Sequence, residues 1–212
     1  MKLVFLGPPG AGKGTQAQIL SKKLGIPTIA TGDILRFAIK EGTPVGAQSM
    51  EHMAAGGLVP DDIIIDIVRD RVSMPDCSNG FILDGAPRTI IQADALVEHG
   101  IDIDAVVSIE IPDAVVQSRL EGRRTCPQCG ATYHIESNPP RRAGICNTCN
   151  TYLIIRSDDF PETVRNRLAT FHRQIEPLKG YYKEKGLLRT VQAGLSIAET
   201  TSEIYKMLGV EQ

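Results

Sequence analysis

One nine-residue stretch constrains the fold more than any other part of the sequence: GPPGAGKGT at residues 7–15. It follows the apolar run KLVFL, which is typical of a buried parallel strand. It leads into a stretch in which Ile19, Leu20 and Leu24 recur at roughly helical spacing. A glycine-rich turn between a strand and a helix is the setting of a phosphate-binding loop, because backbone N–H groups and the helix N-terminus face an anion there.

The loop and a later strand also offer side chains for a nucleotide and its metal ion. Lys13 brings a mobile positive charge to the phosphates. The next residue, Gly14, has no hydroxyl, so Thr15 is the candidate oxygen ligand of Mg²⁺, directly or through water. In FILDG, Asp84 ends an apolar strand, where phosphate-loop proteins place an acid near the metal. An isolated aspartate at a strand end is equally typical of a simple loop cap.

Strands and helices alternate along most of the chain. Strands are predicted at residues 2–6, 79–85, 104–111 and 187–191, and helices at residues 12–25, 89–100, 113–122, 162–186 and 196–209. The long helix is expected to bend near Pro177, and the last helix to begin with a capping box of Ser196 and Glu199. This alternation predicts an α/β fold with a parallel sheet.

Two stretches interrupt the alternation and are interpreted as insertions on the core. From about residue 31 to 59, helical pieces are broken by glycine and proline, without a convincing strand. From about residue 122 to 159, the chain is rich in Pro, Gly and Asn and carries most of the cysteines.

Composition narrows the class of protein. The 212 residues are 42% hydrophobic and 23% charged, with a formal net charge of −2, as in an ordinary globular protein. No overall positive charge attracts nucleic acid, and the N-terminal apolar run is too short for a signal-peptide core or a membrane span. We therefore expect a cytoplasmic protein with neither nucleic-acid nor membrane partners.

Four of the five cysteines form two Cys-x-x-Cys pairs: Cys126, Cys129, Cys146 and Cys149. The spacing within and between the pairs matches that of a zinc ribbon. Four thiolates complete a tetrahedral shell and leave no position for water or substrate, so the predicted metal is a structural Zn²⁺. Alternatives are four metal-free thiols, or His134 as one of the ligands. The fifth cysteine, Cys77, is assigned no role.

Six arginines lie beside turn signals or on one helical face: Arg36, Arg88, Arg119, Arg123, Arg156 and Arg167. Each alone is more often a solvated surface residue. Together with a phosphate-binding loop they predict a clamp for more than one phosphorylated substrate. The sequence has no Asn-Lys-x-Asp motif, so a guanine-reading GTPase switch is excluded.

Over essentially its whole length the sequence resembles the nucleoside monophosphate kinases, and among them adenylate kinases of the bacterial long type with a zinc-binding lid. The shared sequence motifs are GPPGAGKGT, TGDILR, GGLVPD, FILDGAPRT, QAD, RLEGRR and DDFPETVRNRL, in that order. The resemblance implies a three-layer P-loop fold with a five-stranded parallel sheet. It also implies a helical AMP-binding insertion at 30–59, a zinc-ribbon-like lid at 122–159, and a core of residues 1–29, 60–121 and 160–212.

The resemblance further implies a monomeric phosphotransferase that catalyses Mg·ATP + AMP ⇌ 2 ADP and maintains adenine nucleotide balance. It assigns ATP to Gly10, Ala11, Gly12, Lys13, Gly14, Thr15, Arg119, Arg123 and Tyr133. It assigns AMP to Thr31, Arg36, Gly85, Arg88, Gln92, Arg156 and Arg167. The implied catalytic residues are Lys13, Arg88, Arg123, Arg156 and Arg167, and Asp84 and Thr15 would orient magnesium through water.

The chain departs from the family pattern at Ala86, where the family usually has Phe, which puts packing around the AMP pocket in question. The nearest alternative function is a UMP/CMP-type kinase, although Gln92 and the long lid favour AMP. Alternatives of other classes are a zinc-ribbon ATPase that binds nucleic acid, and a nucleotide-binding regulator without turnover.

Overall fold

A parallel sheet forms the centre of the computed structural model, which describes residues 1–192 and 196–211. The sheet strands within these residues are β1 (Lys2–Leu6), β2 (Thr28–Ala30), β3 (Phe81–Asp84), β4 (Ala105–Glu110) and β7 (Leu188–Gln192). They lie in the order β2-β3-β1-β4-β7, and every neighbouring pair is parallel. The expected five-stranded parallel sheet is confirmed.

Two further strands, β5 (Arg123–Thr125) and β6 (Thr132–His134), form a separate antiparallel pair. The helices are α1 (Lys13–Leu24), α2 (Thr31–Lys40), α3 (Pro44–Ala54), α4 (Asp61–Val72), α5 (Ile90–Glu98), α6 (Asp113–Glu121), α7 (Pro161–Thr170), α8 (Pro177–Glu184) and α9 (Ile197–Leu208). The strand β2 and the helix α4 were not predicted from the sequence pattern. Among the described residues, none of the helices has the length and apolar character needed to span a bilayer.

The sheet is covered on both faces. Side chains alternate along a strand, so Leu3 and Phe5 of β1 enter one hydrophobic cluster while Val4 and Leu6 enter the other. All four are at most 3% exposed. A sheet buried on both faces by helices makes the α/β fold a three-layer one, as expected.

The predicted long helix at 162–186 is interrupted near Pro177, as expected, but the interruption is more than a bend. Residues Phe171–Ile175 form a π-helical segment between α7 and α8. Here the Glu176 N–H donates to the Phe171 carbonyl oxygen at 2.9 Å, five residues back instead of four. Proline removes one helical N–H and clashes with the preceding turn, which favours such a widened turn before it.

The two interruptions of the alternating pattern have different structures. Residues 31–59, all of which the structure describes, contain α2 and α3 packed against each other and no strand. The cysteine-bearing stretch contains the β5–β6 pair and a small buried cluster of Cys126, Tyr133 and Cys146. Of the predicted core segment 160–212, residues 193–195 and 212 lie outside the described residues.

Candidate active site

The phosphate-binding loop lies between β1 and α1, as its sequence predicts. Gly12 caps α1 in a left-handed conformation, with φ 97°, and the helix begins at Lys13. The Lys13 ammonium donates hydrogen bonds to the carbonyl oxygens of Gly7, at 2.8 Å, and Pro8, at 2.9 Å. The lysine side chain therefore folds back over the loop.

The electrostatic setting of Lys13 is strongly perturbed. Burial lowers the pKa of its ammonium to about 8; the carboxylate of Asp84 opposes this, and the charges of Arg88 and Arg167 add to it. A cation held among other cations in a poorly solvated place is stabilised by an incoming anion. The loop is therefore built to take up negative charge.

Asp84 lies beside the start of α1. It is the last residue of β3, and in the sheet register it pairs with Phe5 of β1 and Ala30 of β2. A Cβ on Gly14 would lie 3.3 Å from Asp84 Oδ2, so a glycine lets the carboxylate approach the helix. Carboxylate and hydroxyl oxygens are ligands that Mg²⁺ prefers, so Asp84 and Thr15 form a suitable donor set at this place.

One cavity of about 770 Å³ connects the loop with the neighbouring strand ends. Its volume lies in the usual range for small-molecule sites. The described residues that were predicted to bind ATP, AMP or magnesium all line it, whereas the four cysteines do not. They are residues 10–15 of the loop, Thr31, Arg36, Asp84, Gly85, Arg88, Gln92, Arg119, Arg123, Tyr133, Arg156 and Arg167.

Two adjacent carboxylates, Asp158 and Asp159, pair with three of the arginines that line this cavity. Arg123 Nε donates to Asp159 Oδ2 at 2.7 Å. Arg167 Nη1 lies 3.0 Å from Asp158 Oδ2 and 3.1 Å from Asp159 Oδ1. Arg36 pairs more distantly with Asp158, at 3.8 Å. The aspartates thus orient guanidinium groups that come from three different parts of the chain.

These carboxylates do not neutralise the cluster. Burial, together with the charge of Arg167, lowers the pKa of Arg88 to about 10, and burial with the charge of Arg36 lowers that of Arg156 to about 10. Burial alone would raise the pKa of Asp158, but the surrounding arginines outweigh it and lower that pKa. The cavity therefore holds an excess of desolvated positive charge, which suits a ligand with several phosphates.

Arg88, which lines the same cavity, is held by the backbone. Its Nε donates to the Gly85 carbonyl oxygen at 2.7 Å. Gly85 has φ 92°, and a Cβ there would lie 2.9 Å from Thr31 Oγ1 and 3.1 Å from Arg88 Nη2. Any side chain at this position would push apart the two groups expected to contact a monophosphate, so the glycine is required for their arrangement.

Little empty space remains around Ala86, where the family usually has the aromatic ring of Phe. Ala86 is 2% exposed. The void beside it, between α4 and α5, measures about 10 Å³ and borders Ile64, Val68 and Leu96. That is about the space of one water-sized probe, so packing at this edge of the cavity is nearly complete with alanine.

The four cysteines meet in one cluster. Their Sγ atoms all lie within 4.8 Å of one another, and three of the distances are 3.3, 3.5 and 3.6 Å. Zinc–sulfur bonds of about 2.3 Å in a tetrahedron require sulfur atoms about 3.8 Å apart, so the set fits one zinc ion. His134 is not part of the group; its Nδ1 accepts from the N–H groups of Glu136 and Ser137.

Tyr133 connects this cluster with the cavity. It lines the cavity, yet its hydroxyl lies 3.5 Å from Cys146 Sγ and accepts from the Asn147 N–H at 2.9 Å. The hydrogen bond from the hydroxyl favours the thiolate and lowers the pKa of Cys146. The contact of Tyr133 with ATP stays a prediction, and the structure adds a contact with the cysteine cluster.

Sequence reasoning missed the acidic partners of the site. Asp158 and Asp159 form a turn between Arg156 and α7, and their adjacency to two candidate arginines was the available signal. Asp61 was also missed; it accepts a hydrogen bond from Gln92 Nε2 at 2.7 Å. Its position at the start of a helix, after Pro60, is the one sequence feature that could have indicated it, and that feature is weak.

Comparison with known proteins agrees with this geometry. A sequence model of the family described as adenylate kinase matches residues 5–187. An adenylate kinase of Caldicellulosiruptor bescii is 51% identical over 215 residues, covering 100% of both chains. That of Carboxydothermus hydrogenoformans is 50% identical, over 98% of this chain and 99% of the relative. That of Pelobacter propionicus is 49% identical, over 98% of this chain and 96% of the relative. With the phosphate loop, arginine cluster and cysteine cluster in one fold, the chain belongs to the adenylate kinase family.

Proposed function

We propose that this chain is a phosphotransferase that moves the γ-phosphoryl group of ATP to AMP and yields two ADP. The observation that carries the proposal is the single cavity that joins a phosphate-binding loop to a second phosphate end lined by Thr31, Gly85 and Arg88. A hydrolase or a nucleotide-binding regulator needs one nucleotide end only. The names of the relatives support the same activity.

The ATP phosphates bind at residues 10–15, with Arg119 and Arg123 nearby, and AMP binds between Thr31, Arg36, Gly85, Arg88 and Gln92. The AMP phosphate oxygen attacks the γ-phosphorus in line, a new P–O bond forms, and the bond to the leaving ADP oxygen breaks. The attacking oxygen is already ionised, so no general base is needed. Catalysis then rests on positioning and on charge neutralisation by Lys13, Arg88, Arg123, Arg156 and Arg167.

Magnesium fits the same arrangement. When bound with ATP, Mg²⁺ neutralises phosphate charge and fixes the phosphate conformation. Asp84 and Thr15 would hold it through water molecules, and the close approach of Asp84 to Gly14 supports this placement. The role of the protein is to keep the Asp84 carboxylate beside the loop at the end of β3.

The proposed domain division is a core of residues 1–29, 60–121 and 160–212, an AMP-binding insertion at 30–59 and a lid at 122–159. The lid closes over the phosphates and excludes water, which would otherwise accept the phosphoryl group. Structural zinc at the four cysteines holds the lid in shape. The buried cluster of the lid, built around Cys126, Tyr133 and Cys146, is small. Because so small a core rarely stabilises a segment by itself, it supports a stabilising role for the metal.

The enzyme works as a monomer in the cytoplasm. One chain supplies every residue proposed for both substrates, which supports a monomer. Four thiols gathered for a metal suit a reducing compartment, where ATP and AMP are also available. Its partners are the nucleotides ATP, AMP and ADP.

Steady-state phosphoryl transfer from Mg·ATP to a panel of AMP, UMP, CMP and GMP tests the proposal. We expect kcat/KM for AMP to exceed that for every other monophosphate by about a hundredfold or more, because a hydrogen-bonding site rejects mismatched edges strongly. A higher value for UMP or CMP would establish the pyrimidine kinase instead. The Lys13→Ala variant serves as the background control, since it should remain folded and lose transfer by orders of magnitude.

A further inference from the structure

A carboxylate outside the cavity holds the residue proposed to meet the AMP base. Asp61 is the first residue of α4, and its Oδ1 accepts two hydrogen bonds from the start of α5. One comes from Thr89 Oγ1 at 3.0 Å and the other from Gln92 Nε2 at 2.7 Å. Thr89 in turn caps α5 by accepting from the Gln92 N–H at 3.1 Å. Asp61 thus joins two helices at the residue that faces the cavity.

The orientation of the Gln92 amide is fixed from both sides. Its Oε1 accepts from the Arg88 N–H at 2.7 Å, while its Nε2 donates to Asp61. A carboxylate only accepts, and a backbone N–H only donates, so a flipped amide would face the wrong partner twice. Gln92 is 2% exposed, which makes an unmatched group costly.

The fixed amide has two groups left: the second N–H of Nε2 and the second lone pair of Oε1. Gln92 lines the cavity, and the same lining includes the apolar side chains of Leu35, Met53, Val59 and Ile64, which suit a flat base. Adenine presents an acceptor at N1 beside a donor at the 6-amino group. Hypoxanthine presents the reverse order, a donor at N1–H beside an acceptor at O6. An amide with one fixed orientation matches only one of these two edges.

We propose that Asp61 is a positioning residue that sets the preference for a 6-amino over a 6-oxo purine monophosphate by locking the Gln92 amide. The inference rests on the proposed function, since it concerns the acceptor nucleotide of that reaction. Asp61 contacts no substrate, and it acts on base recognition only through Gln92.

The decisive comparison is kcat/KM for AMP and for IMP, each with saturating Mg·ATP, in the wild type and in Asp61→Ala. Alanine offers no acceptor to Gln92 Nε2, so the amide loses its anchor at Asp61 and samples both orientations. We expect the AMP-to-IMP ratio to fall about tenfold or more, as one hydrogen bond to the base is exchanged for a mismatch. The change should lie mainly in the KM for the monophosphate, while the KM for ATP stays within about twofold.

Asp62→Ala is the matched control. Asp62 is exposed and occupies the same first turn of α4, so this variant removes the same charge near the same helix terminus. Its AMP-to-IMP ratio should equal that of the wild type. Asp61→Glu keeps an acceptor and the charge, and it should retain most of the discrimination, which covers the case in which Asp61→Ala does not fold.

The outcomes separate the two proposals. If the wild type does not phosphorylate AMP, the proposed function is wrong. If the wild type uses AMP but the AMP-to-IMP ratio in folded Asp61→Ala stays within about twofold of the wild type, or Asp62→Ala changes it equally, Asp61 does not set the base preference. If Asp61→Glu loses as much discrimination as Asp61→Ala, an acceptor role of Asp61 is also contradicted.

Discussion

If Lys13 binds the ATP phosphates as proposed, its lowered pKa predicts that ATP affinity depends on pH. With a pKa of about 8 in the free protein, about three-quarters of the molecules carry a charged Lys13 at pH 7.5 and about one-tenth at pH 9. Bound phosphates favour the charged form, so binding at the higher pH must first take up a proton. The arithmetic predicts an affinity about eightfold weaker at pH 9 than at pH 7.5, with nearly one proton taken up per ATP at pH 9.

Isothermal titration calorimetry with Mg·ATP, in two buffers of different ionisation enthalpy at each pH, measures both quantities. Above pH 7.5 the phosphates themselves are fully ionised, so their own titration does not contribute. Lys13→Arg is the control: its guanidinium stays charged throughout, and its affinity, though lower, should not vary with pH from this cause. Equal affinity at pH 7.5 and 9 in the wild type, without proton uptake, would refute the assignment of Lys13 to the phosphates.

The same shift has a consequence for stability. The folded chain binds fewer protons at Lys13 than the unfolded chain between about pH 8 and the ordinary lysine pKa of 10.5. The contribution of Lys13 to the free energy of unfolding therefore rises with pH across that window. At neutral pH the charged Lys13 therefore lowers the free energy of unfolding of the ligand-free protein. This effect is expected of a buried charge whose function is to bind a ligand.

Three further predictions concern the lid and the edge of the AMP pocket. Verified removal of the metal should unfold the lid and lower the Tm measured by differential scanning calorimetry, while the circular dichroism of the core is retained. An unchanged Tm would contradict a structural role of the metal. Tyr133→Phe loses the hydroxyl beside Cys146, so its affinity for zinc, measured by competition with a chelator, should fall about tenfold or more. Tyr152→Phe is the control: this side chain is 77% exposed, and loss of its hydroxyl should leave the zinc affinity unchanged. Ala86→Phe should lower the free energy of unfolding in urea by about 1–3 kcal/mol, because the void of about 10 Å³ cannot hold a ring; equal or greater stability would show that α4 and α5 separate easily.

The elements that the sequence predicts well are those whose signal is local. The loop at 7–15 carries its strand, its glycines and its helix in one stretch, and the capping box of Ser196 and Glu199 is observed as predicted. The strand β2, by contrast, has only three residues, Thr28–Ala30, too few for a periodic pattern. It is a strand because it pairs with β3, which no local pattern encodes.

The π-helical segment shows the same limit. Pro177 predicts an interruption, but the form of the interruption also involves side chains from elsewhere. His172, within the segment, bonds to Glu176 at 2.9 Å and to Asp113 of α6 at 2.9 Å. These hydrogen bonds raise the pKa of His172, the one to Glu176 most. A contact between α6 and the segment depends on the folded arrangement of both.

For the site, the residue types were predictable and their partners were not. The family motifs identify the arginines, yet the pairing of Arg123 and Arg167 with Asp159 appears only when β5, α7 and the turn before α7 come together. The double anchoring of Gln92 by Asp61 and the Arg88 backbone is likewise a tertiary contact between α4 and α5. Sequence patterns indicate which groups are present, and the fold determines what each one faces.

In the proposed reaction, one cavity holds both nucleotides, and a phosphoryl group passes between them. ³¹P NMR of a mixture of Mg·ATP and AMP with the protein follows the reaction directly. We expect two ADP to appear for each ATP and each AMP consumed, without inorganic phosphate, and the reaction to stop at an equilibrium that is also reached from ADP alone. Release of inorganic phosphate in step with ATP loss, with AMP unconsumed, would contradict it.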